Sequence, residues 1–423
     1  MRATTLVRKL IGIDGLWATR LEVQDGALVV WVRPNWRDPR CSGCGERPPQ
    51  QRPGGANVAT RGRRWRHLDL AGIRLFLAYD VHWVYCPDCG RTVEQVPWAS
   101  NASARFTSDF DNHVAYLAQR SDKTSVQKLM RITWEAVGNS IERVVARLRP
   151  DQPLAGLTAI GVDELSYRKQ HNYVTLVTDQ IERRIVWGKE GRSAQTLEAF
   201  FEELGEEGRR QLQLVSMDMS ASYQKAVRDR EDLAHVQIVF DRFHVQQLAS
   251  TALDETRREE WNRLRGEYGK SSEEAKALKG LRWTLLRDGL TLDQAEQVRM
   301  GELQRDNKRL FRAYLLKEEL GDILDRRQPN VVRELLGKWC SWASRSRLPA
   351  FIRTAKTIRQ HMDGIVAYVR HRISNGLVEG LNNKARLITR RAYGFHSAAA
   401  VLAMIDLCCS GLDVQPALKD LAS

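Results

Sequence analysis

No stretch of this 423-residue chain approaches the roughly 20 consecutive apolar residues of a membrane-spanning helix. The N-terminus also lacks the apolar core and cleavage site of a signal peptide, so the sequence predicts a cytoplasmic protein with no membrane partner. Cysteine is scarce and odd in number, seven in all. That argues against a disulfide framework, and four of the seven fall in two C-x-x-C pairs, the pattern of metal ligation in a reducing compartment. Acidic residues are in deficit, 52 Asp+Glu against 66 Lys+Arg, for a formal net charge of +14. An excess of this size favours a polyanionic partner, most commonly nucleic acid. The excess is concentrated in residues 1–150, with 23 Lys+Arg against 14 Asp+Glu, which makes the first third the expected docking surface. A chain of this length is too long for one ordinary core, and two to four domains are expected.

The fold class predicted is multidomain α+β. Residues 1–100 read as a β-rich zinc-ribbon domain. Residues 6–36 alternate apolar and polar around Asp25 and Gly26, a hairpin signal. Cys41, Cys44, Cys86 and Cys89, each pair followed by glycine, are the expected ligands of a structural Zn²⁺. The intervening residues read as strands, and His67 and His82 are spare ligands nearby or ordinary strand histidines. Arg61, Arg63, Arg64 and Arg66, interleaved with Trp65, fit either a phosphate-contacting arm or a solvated basic turn.

Residues 101–150 read as three short helices, with Thr107 or Ser108 capping the first and Thr133 the third. Such spacing fits a helix-turn-helix module whose last helix turns Arg143 and Arg147 toward DNA, or a plain helical linker. Pro150 and Pro153 mark a boundary. From there to residue 249, three strands followed by alternating helix and strand match the first part of an RNase H-like core. Asp163 is expected at the end of its first strand and Asp218 at the end of its fourth, on neighbouring strands. Residues 250–370 read as an all-helical insertion, with Trp261, Trp283, Trp339 and Trp342 as core anchors or, less simply, as wedges against an unstacked base. Residues 371–423 return to the core with its final helices.

Within that last segment, Glu379 is the single acid among Asn and basic residues. On a helix, Asn382, Asn383 and Arg386 share its face. A solvated surface would look the same, but such a face also suits a metal-bound phosphodiester. Two Asp and one Glu converging would form an oxygen-rich site for two Mg²⁺ or Mn²⁺ ions, able to activate an attacking oxygen and stabilise the departing one. Glu164, Asp179 and Asp241 are rivals; Glu164 is expected on the opposite strand face from Asp163. Asp241 and His244 place a carboxylate and an imidazole beside the same sheet edge, as accessory groups or as structural ones.

Several phrases together resemble the ISL-three family of bacterial insertion-sequence transposases: RRWRHLDL, CPDCG followed by VPWA, LMRITWEAV, IGVDELSYRK, DRFHVQQLA and SNGLVEGLNNKARLITRRAYGFHS. They sample nearly the whole chain. The resemblance implies a DDE transposase whose zinc ribbon and helix-turn-helix bind the terminal inverted repeats as double-stranded DNA, and whose RNase H-like domain cleaves the ends and transfers them to target DNA. The acidic triad then falls on Asp163, Asp218 and Glu379, the D-R-F-H phrase resembles a D-x-x-H signature of related DDE transposases and falls on Asp241 and His244, and Asn382, Asn383, Lys384 and Arg386 would steady DNA phosphates. Joining two ends implies a homodimer or higher assembly. Two other readings share these residues: a DNA-binding regulator on an idle scaffold, and a nuclease that only hydrolyses.

Overall fold

The computed structural model describes residues 2–36, 39–48, 58–150, 152–168, 172–269, 272–371, 375–392 and 395–417, without the side chains at 274, 375–379 and 382. The chain divides into two compact units, Met1–Pro153 with Leu387–Ser423, and Leu154–Arg386.

The first unit opens with a helix, α1 (Ala3–Ile11), where the hairpin signal was expected to begin. Val7 and Ile11 lie on one helical face and are both buried, a spacing that reads as strand alternation only over a short window. The hairpin itself follows: β1 (Leu16–Gln24) and β2 (Ala27–Pro34) pair antiparallel. Asp25 and Gly26, both with positive φ, form the turn, the geometry that suits the twist of the flanking strands. The strands β3 (Val58–Leu70) and β4 (Ile73–Cys86) form a second, longer hairpin, and β5 (Gly90–Val93) pairs with the far end of β4. The sheet runs β1-β2-β4-β3 over a core that includes Val30, Leu77, Trp65 and Trp98.

Three helices follow with the expected caps: α2 (Ser108–Arg120), α3 (Lys123–Met130) and α4 (Trp134–Leu148). The Thr107 and Thr133 hydroxyls accept from the Phe110 and Ala136 N–H groups at 3.2 Å each, and Asp122 accepts from Ser125 at 2.9 Å. Each cap satisfies an N–H that the helix itself cannot pair.

The second unit is built on β6 (Ala159–Arg168), β7 (Asn172–Asp179) and β8 (Arg184–Glu190), an antiparallel meander. After α5 (Ala194–Gln211), β9 (Leu214–Met217) joins the other side of β6 in parallel. After α6 (Ala221–Arg228), β10 (Gln237–Phe240) joins β9 in parallel. The sheet order is β10-β9-β6-β7-β8. The last strand ends at Phe240, because Asp241 caps the next helix, α7 (Arg242–Tyr268).

The expected boundary at residue 250 falls inside α7. Six further helices follow among the described residues: α8 (Glu273–Gly280), α9 (Arg282–Leu286), α10 (Gln294–Asp306), α11 (Lys308–Asp325), α12 (Pro329–Arg345) and α13 (Pro349–Gln360). Then α14 (Met362–His371) returns to β10. At Gly364 a Cβ would stand 2.4 Å from the Phe240 ring, so only glycine permits this approach of helix to strand. One apolar cluster runs from Leu157 and Phe200 through Leu253 and Leu316 to Trp339 and Val369. The helical segment thus shares the core of the sheet rather than building its own. Trp339 is buried in it and donates to the Leu316 carbonyl at 2.8 Å, Trp261 and Trp342 pack at its edge, and Trp283 remains exposed.

The last two helices are α15 (Asn375–Arg391) and α16 (Ala398–Cys409). Residues from Leu387 onward group with the first unit rather than with the sheet of the second. Gln119 of α2 donates to the Leu407 carbonyl at 2.7 Å, Arg391 donates to the Ala118 carbonyl at 2.9 Å, and the Trp134 and His396 rings meet edge to face. Val401, Met404, Ile405 and Leu407 are buried, so the apolar α16 is core.

Candidate functional site

The cysteine centre arises from two turns of the same construction. Cys41 pairs across to Glu94, beside β5, while Cys86 ends β4 and Cys89 lies in the turn before β5. Gly45 and Gly90, one residue past each pair, hold φ of 77° and 71°, the left-handed turn that each C-x-x-C-G phrase predicted. One ligand atom from each of Cys41, Cys44, Cys86 and Cys89 lies within 4.8 Å of all the others. Tetrahedral Zn²⁺ bound at about 2.3 Å to four thiolates would separate them by roughly 3.8 Å, so the cluster fits the ion. Burial opposes ionisation of Cys41, but the backbone N–H groups of Cys44 and Gly43 outweigh it and draw the thiol down to about 7. A Cβ at Gly43 would meet the Cys89 sulfur at 2.9 Å. The spare histidines are engaged elsewhere: His67 Nδ1 lies 2.9 Å from the Thr107 hydroxyl and His82 Nδ1 lies 2.7 Å from Glu94.

In the second unit, Asp163 lies within β6 opposite Leu176, not at the strand end as expected. Asp218 follows β9 directly. The last rung of the β6–β9 ladder joins Gly161 to Ser216, and the two aspartates each stand two residues beyond it. Asp163 Oδ1 accepts from the Glu164 N–H at 2.7 Å, and its Oδ2 lies 3.5 Å from the Arg386 guanidinium on α15. Burial pushes the Asp163 carboxyl above its ordinary range and Asp218 adds to this, against the Glu164 N–H, Arg386 and His244. Asp218 accepts from the Ser220 N–H at 2.9 Å, which turns the chain into α6. Position 379 lies on α15 two turns before Arg386, but the side chains of Glu379 and Asn382 lie outside the described residues; Asn383 and Lys384 are exposed.

The rivals separate by their hydrogen bonds. Asp179 is buried and accepts from the Ile181 and Glu182 N–H groups, which commits it to the β7–β8 turn. Asp241 caps α7 by accepting from Phe243 at 2.8 Å, and His244 in the first turn of α7 lies within electrostatic reach of Asp163. Glu164 is closer to the chemistry than strand alternation suggested. Burial and then Asp218 raise its carboxyl, and it takes a hydrogen bond from Tyr223, whose hydroxyl also lies 2.9 Å from Thr175. Tyr223, on α6 five residues after Asp218, had no signal of its own in the sequence.

The basic residues divide as well. The stretch read as an arm or turn is the body of β3. Arg61 and Arg64 are exposed, whereas Arg63 donates to the Ala104 carbonyl at 3.0 Å. Arg66 is buried and bound to the His67 carbonyl and Asp69, so it is not available to a phosphate. Arg143 makes a bidentate pair with the fully buried Asp111 at 2.8 and 2.7 Å, and Arg147 reaches Asn112. Both hold α4 to α2.

The acidic pair offers only oxygen donors, the chemistry of a hard divalent cation, and the four thiolates fit zinc. No helix among the described residues is long and apolar enough to cross a membrane. A family model described as "Transposase", for DDE enzymes of the ISL-three type, matches residues 160–405, more than half of the chain. The chain is also 36% identical to the transposase for insertion sequence element IS1557 of Mycobacterium tuberculosis, over 97% of this chain and 96% of that protein, in each of two strains. It is 28% identical to the transposase for insertion sequence element IS1001 of Bordetella parapertussis, over 92% of this chain and 94% of that protein. With its family match spanning strands β6 to β10 and both aspartates, the chain belongs to the ISL-three family of DDE transposases.

Proposed function

We propose that the protein binds the terminal inverted repeats of an insertion sequence, cuts them in a reaction that depends on two divalent metal ions, and joins the freed 3'-hydroxyls to target DNA. The observation that carries this reading is the position of Asp163 and Asp218, each two residues past the last rung of one parallel ladder. The second unit is then an RNase H-like core, in which three antiparallel strands are followed by two parallel ones, and Glu379 supplies the third carboxylate.

In this reading Asp163, Asp218 and Glu379 would hold Mg²⁺ or Mn²⁺. When bound, the ions would activate the attacking oxygen and stabilise the leaving one in an in-line displacement at phosphorus. Arg386, already 3.5 Å from Asp163, and the exposed Asn383 and Lys384 would hold phosphate oxygens beside the carboxylates, with Asn382. The Glu164 N–H, Arg386 and His244 would oppose the burial that raises the Asp163 carboxyl, while Asp241 fixes the first turn of α7 that carries His244. Zn²⁺ on the four cysteines would hold the β4–β5 end of the first unit, whose basic surface takes the DNA. Two ends must meet before joining, so the working form is a dimer or larger.

The test incubates purified protein with a labelled duplex from the element's ends and an unlabelled plasmid, in Mg²⁺ or Mn²⁺. Labelled ends covalently joined to the plasmid are the expected result. Cleavage without joining would make the protein a hydrolytic nuclease, and end binding without metal-dependent chemistry would make it a regulator.

A further inference from the structure

The first unit contains a cleft of about 1480 Å³ between the β3–β4 hairpin and α4. Arginines dominate its lining, and several of them carry no role in the sequence reading. Arg64, Arg74, Arg105 and Arg131 are all exposed there. They come from four separate places: β3, the start of β4, the segment before α2, and the end of α3. Arg131 holds a left-handed φ of 54° at the end of α3, pairs with Asp69 and donates to the Gly72 carbonyl at 2.8 Å, so it ties the helical wall of the cleft to the β3–β4 turn and is not itself available to a phosphate.

The α4 wall is different in kind. Arg143 and the exposed Arg147 touch the cleft but are bound to α2, so the side chains α4 leaves to solvent there include Glu135 in its first turn and then Asn139 and Glu142, with Ala146 one turn further on. The spacing puts them in one stripe on the helix. Asn139 and Glu142 make no hydrogen bond among the described contacts, and the neighbouring alanines keep the stripe low enough for close approach. A carboxylate among arginines is repelled by phosphate, but it accepts well from the amino group of cytosine. An Asn pairs with two atoms of adenine.

We propose that this cleft reads the DNA duplex, with Asn139 and Glu142 as the specificity-determining residues and Arg64, Arg74 and Arg105 as its phosphate contacts. This rests on the reading of the first unit as the part that binds the element's ends. Three helical residues rise about 4.5 Å, a little more than the roughly 3.4 Å between base pairs. The site therefore reads an adenine and a cytosine one or two steps apart. The arginines fix the duplex without regard to its sequence.

The experiment selects binding sites for the full-length protein from a randomised duplex library, then measures affinity for the selected duplex and a scrambled one across a salt series. Wild type, Asn139→Ala, Glu142→Ala and Arg105→Ala are compared, with thermal melting to verify folding; all three positions are exposed. Asn139→Ala is expected to lower the preference for the selected duplex about tenfold and to relax one adenine position. Glu142→Ala is expected to relax a cytosine position while binding the scrambled duplex more tightly, because a repelling charge is gone. Arg105→Ala should weaken both duplexes alike and reduce the salt dependence by about one phosphate contact. Unchanged sequence preference in both α4 variants would overturn the assignment of the readers, and unchanged affinity and salt dependence in Arg105→Ala would overturn that of the cleft as the phosphate clamp. If wild type selects no sequence but still joins ends, the inference fails and the transposase reading stands. If wild type neither selects nor joins, both fail.

Discussion

Asp163 on β6 and Asp218 just past the end of the neighbouring β9 stand at matching positions, each two residues beyond the Gly161–Ser216 rung that ends the β6–β9 ladder. Parallel pairing converts a sequence separation of 55 residues into adjacency, and the raised carboxyl of Asp163 registers both burial and the second charge. Oxygen donors in this arrangement suit a divalent cation because the cation relieves the repulsion that burial sharpens.

The buried pair of Arg143 and Asp111 predicts a stability effect where the sequence alone pointed to DNA contact. Arg143→Ala leaves a fully buried carboxylate unpaired, at a cost of about 3 kcal/mol or more. Thermal or urea unfolding of the variant should show a clear loss. Adding Asp111→Asn should recover part of it, because the orphaned charge is removed; no recovery would mean that Arg143 stabilises by packing alone.

The close approach of α14 to β10 makes Gly364 intolerant of a side chain. Gly364→Ala should destabilise the second unit by about 1–3 kcal/mol, since the added carbon meets both the Phe240 ring and the Ile238 carbonyl. A melting transition within a degree of wild type would show that the helix moves aside without penalty.

At the cysteine centre, metal analysis of purified protein should give one zinc per chain. Cys44→Ser should lose it, and Gly43→Ala should weaken it because the new methyl would press on the Cys89 sulfur. Retention of full zinc content by Cys44→Ser would remove Cys44 from the ligand set.

Asp406 on α16 supplies a pH dependence remote from the acidic pair. Burial, opposed by Arg149, raises its carboxyl to about 6. The folded state therefore holds its proton more tightly than the unfolded chain does. That contribution is fully present below the ordinary aspartate range and is lost as pH rises through about 6. Asp406→Asn should stabilise the first unit at pH 7 by about 1–2 kcal/mol and have little effect near pH 4. Equal stabilisation at both pH values would show that ionisation is not the cause.

Much of this was legible where the signal is local. Thr107 and Thr133 announced their helices because a hydroxyl before an apolar period caps the free N–H groups, and Asp25-Gly26 announced its hairpin through the positive φ that such a turn needs. The cysteine set was legible because both pairs carry the same turn glycine. The failures are non-local. Arg66 and Arg143 look like DNA contacts in sequence, and only Asp69 and the buried Asp111, brought in by folding, turn them inward. Strand alternation separated Glu164 from Asp163 but carried no information about Tyr223 and Asp218 beside it. The grouping of α16 with α2 and α4 has no sequence signal at all beyond an apolar helix that needs a partner.

The most direct test of the central claim, that the aspartate pair ligates metal, is end cleavage by Asp218→Cys in Mg²⁺ and in Mn²⁺, beside wild type and Asp179→Asn. A thiolate is a poor ligand for Mg²⁺ and a better one for Mn²⁺. Metal ligation by Asp218 predicts cleavage reduced at least roughly a hundredfold in Mg²⁺, partial recovery in Mn²⁺, and an Asp179→Asn variant that cleaves like wild type. Equal cleavage by Asp218→Cys and wild type in Mg²⁺ would contradict it.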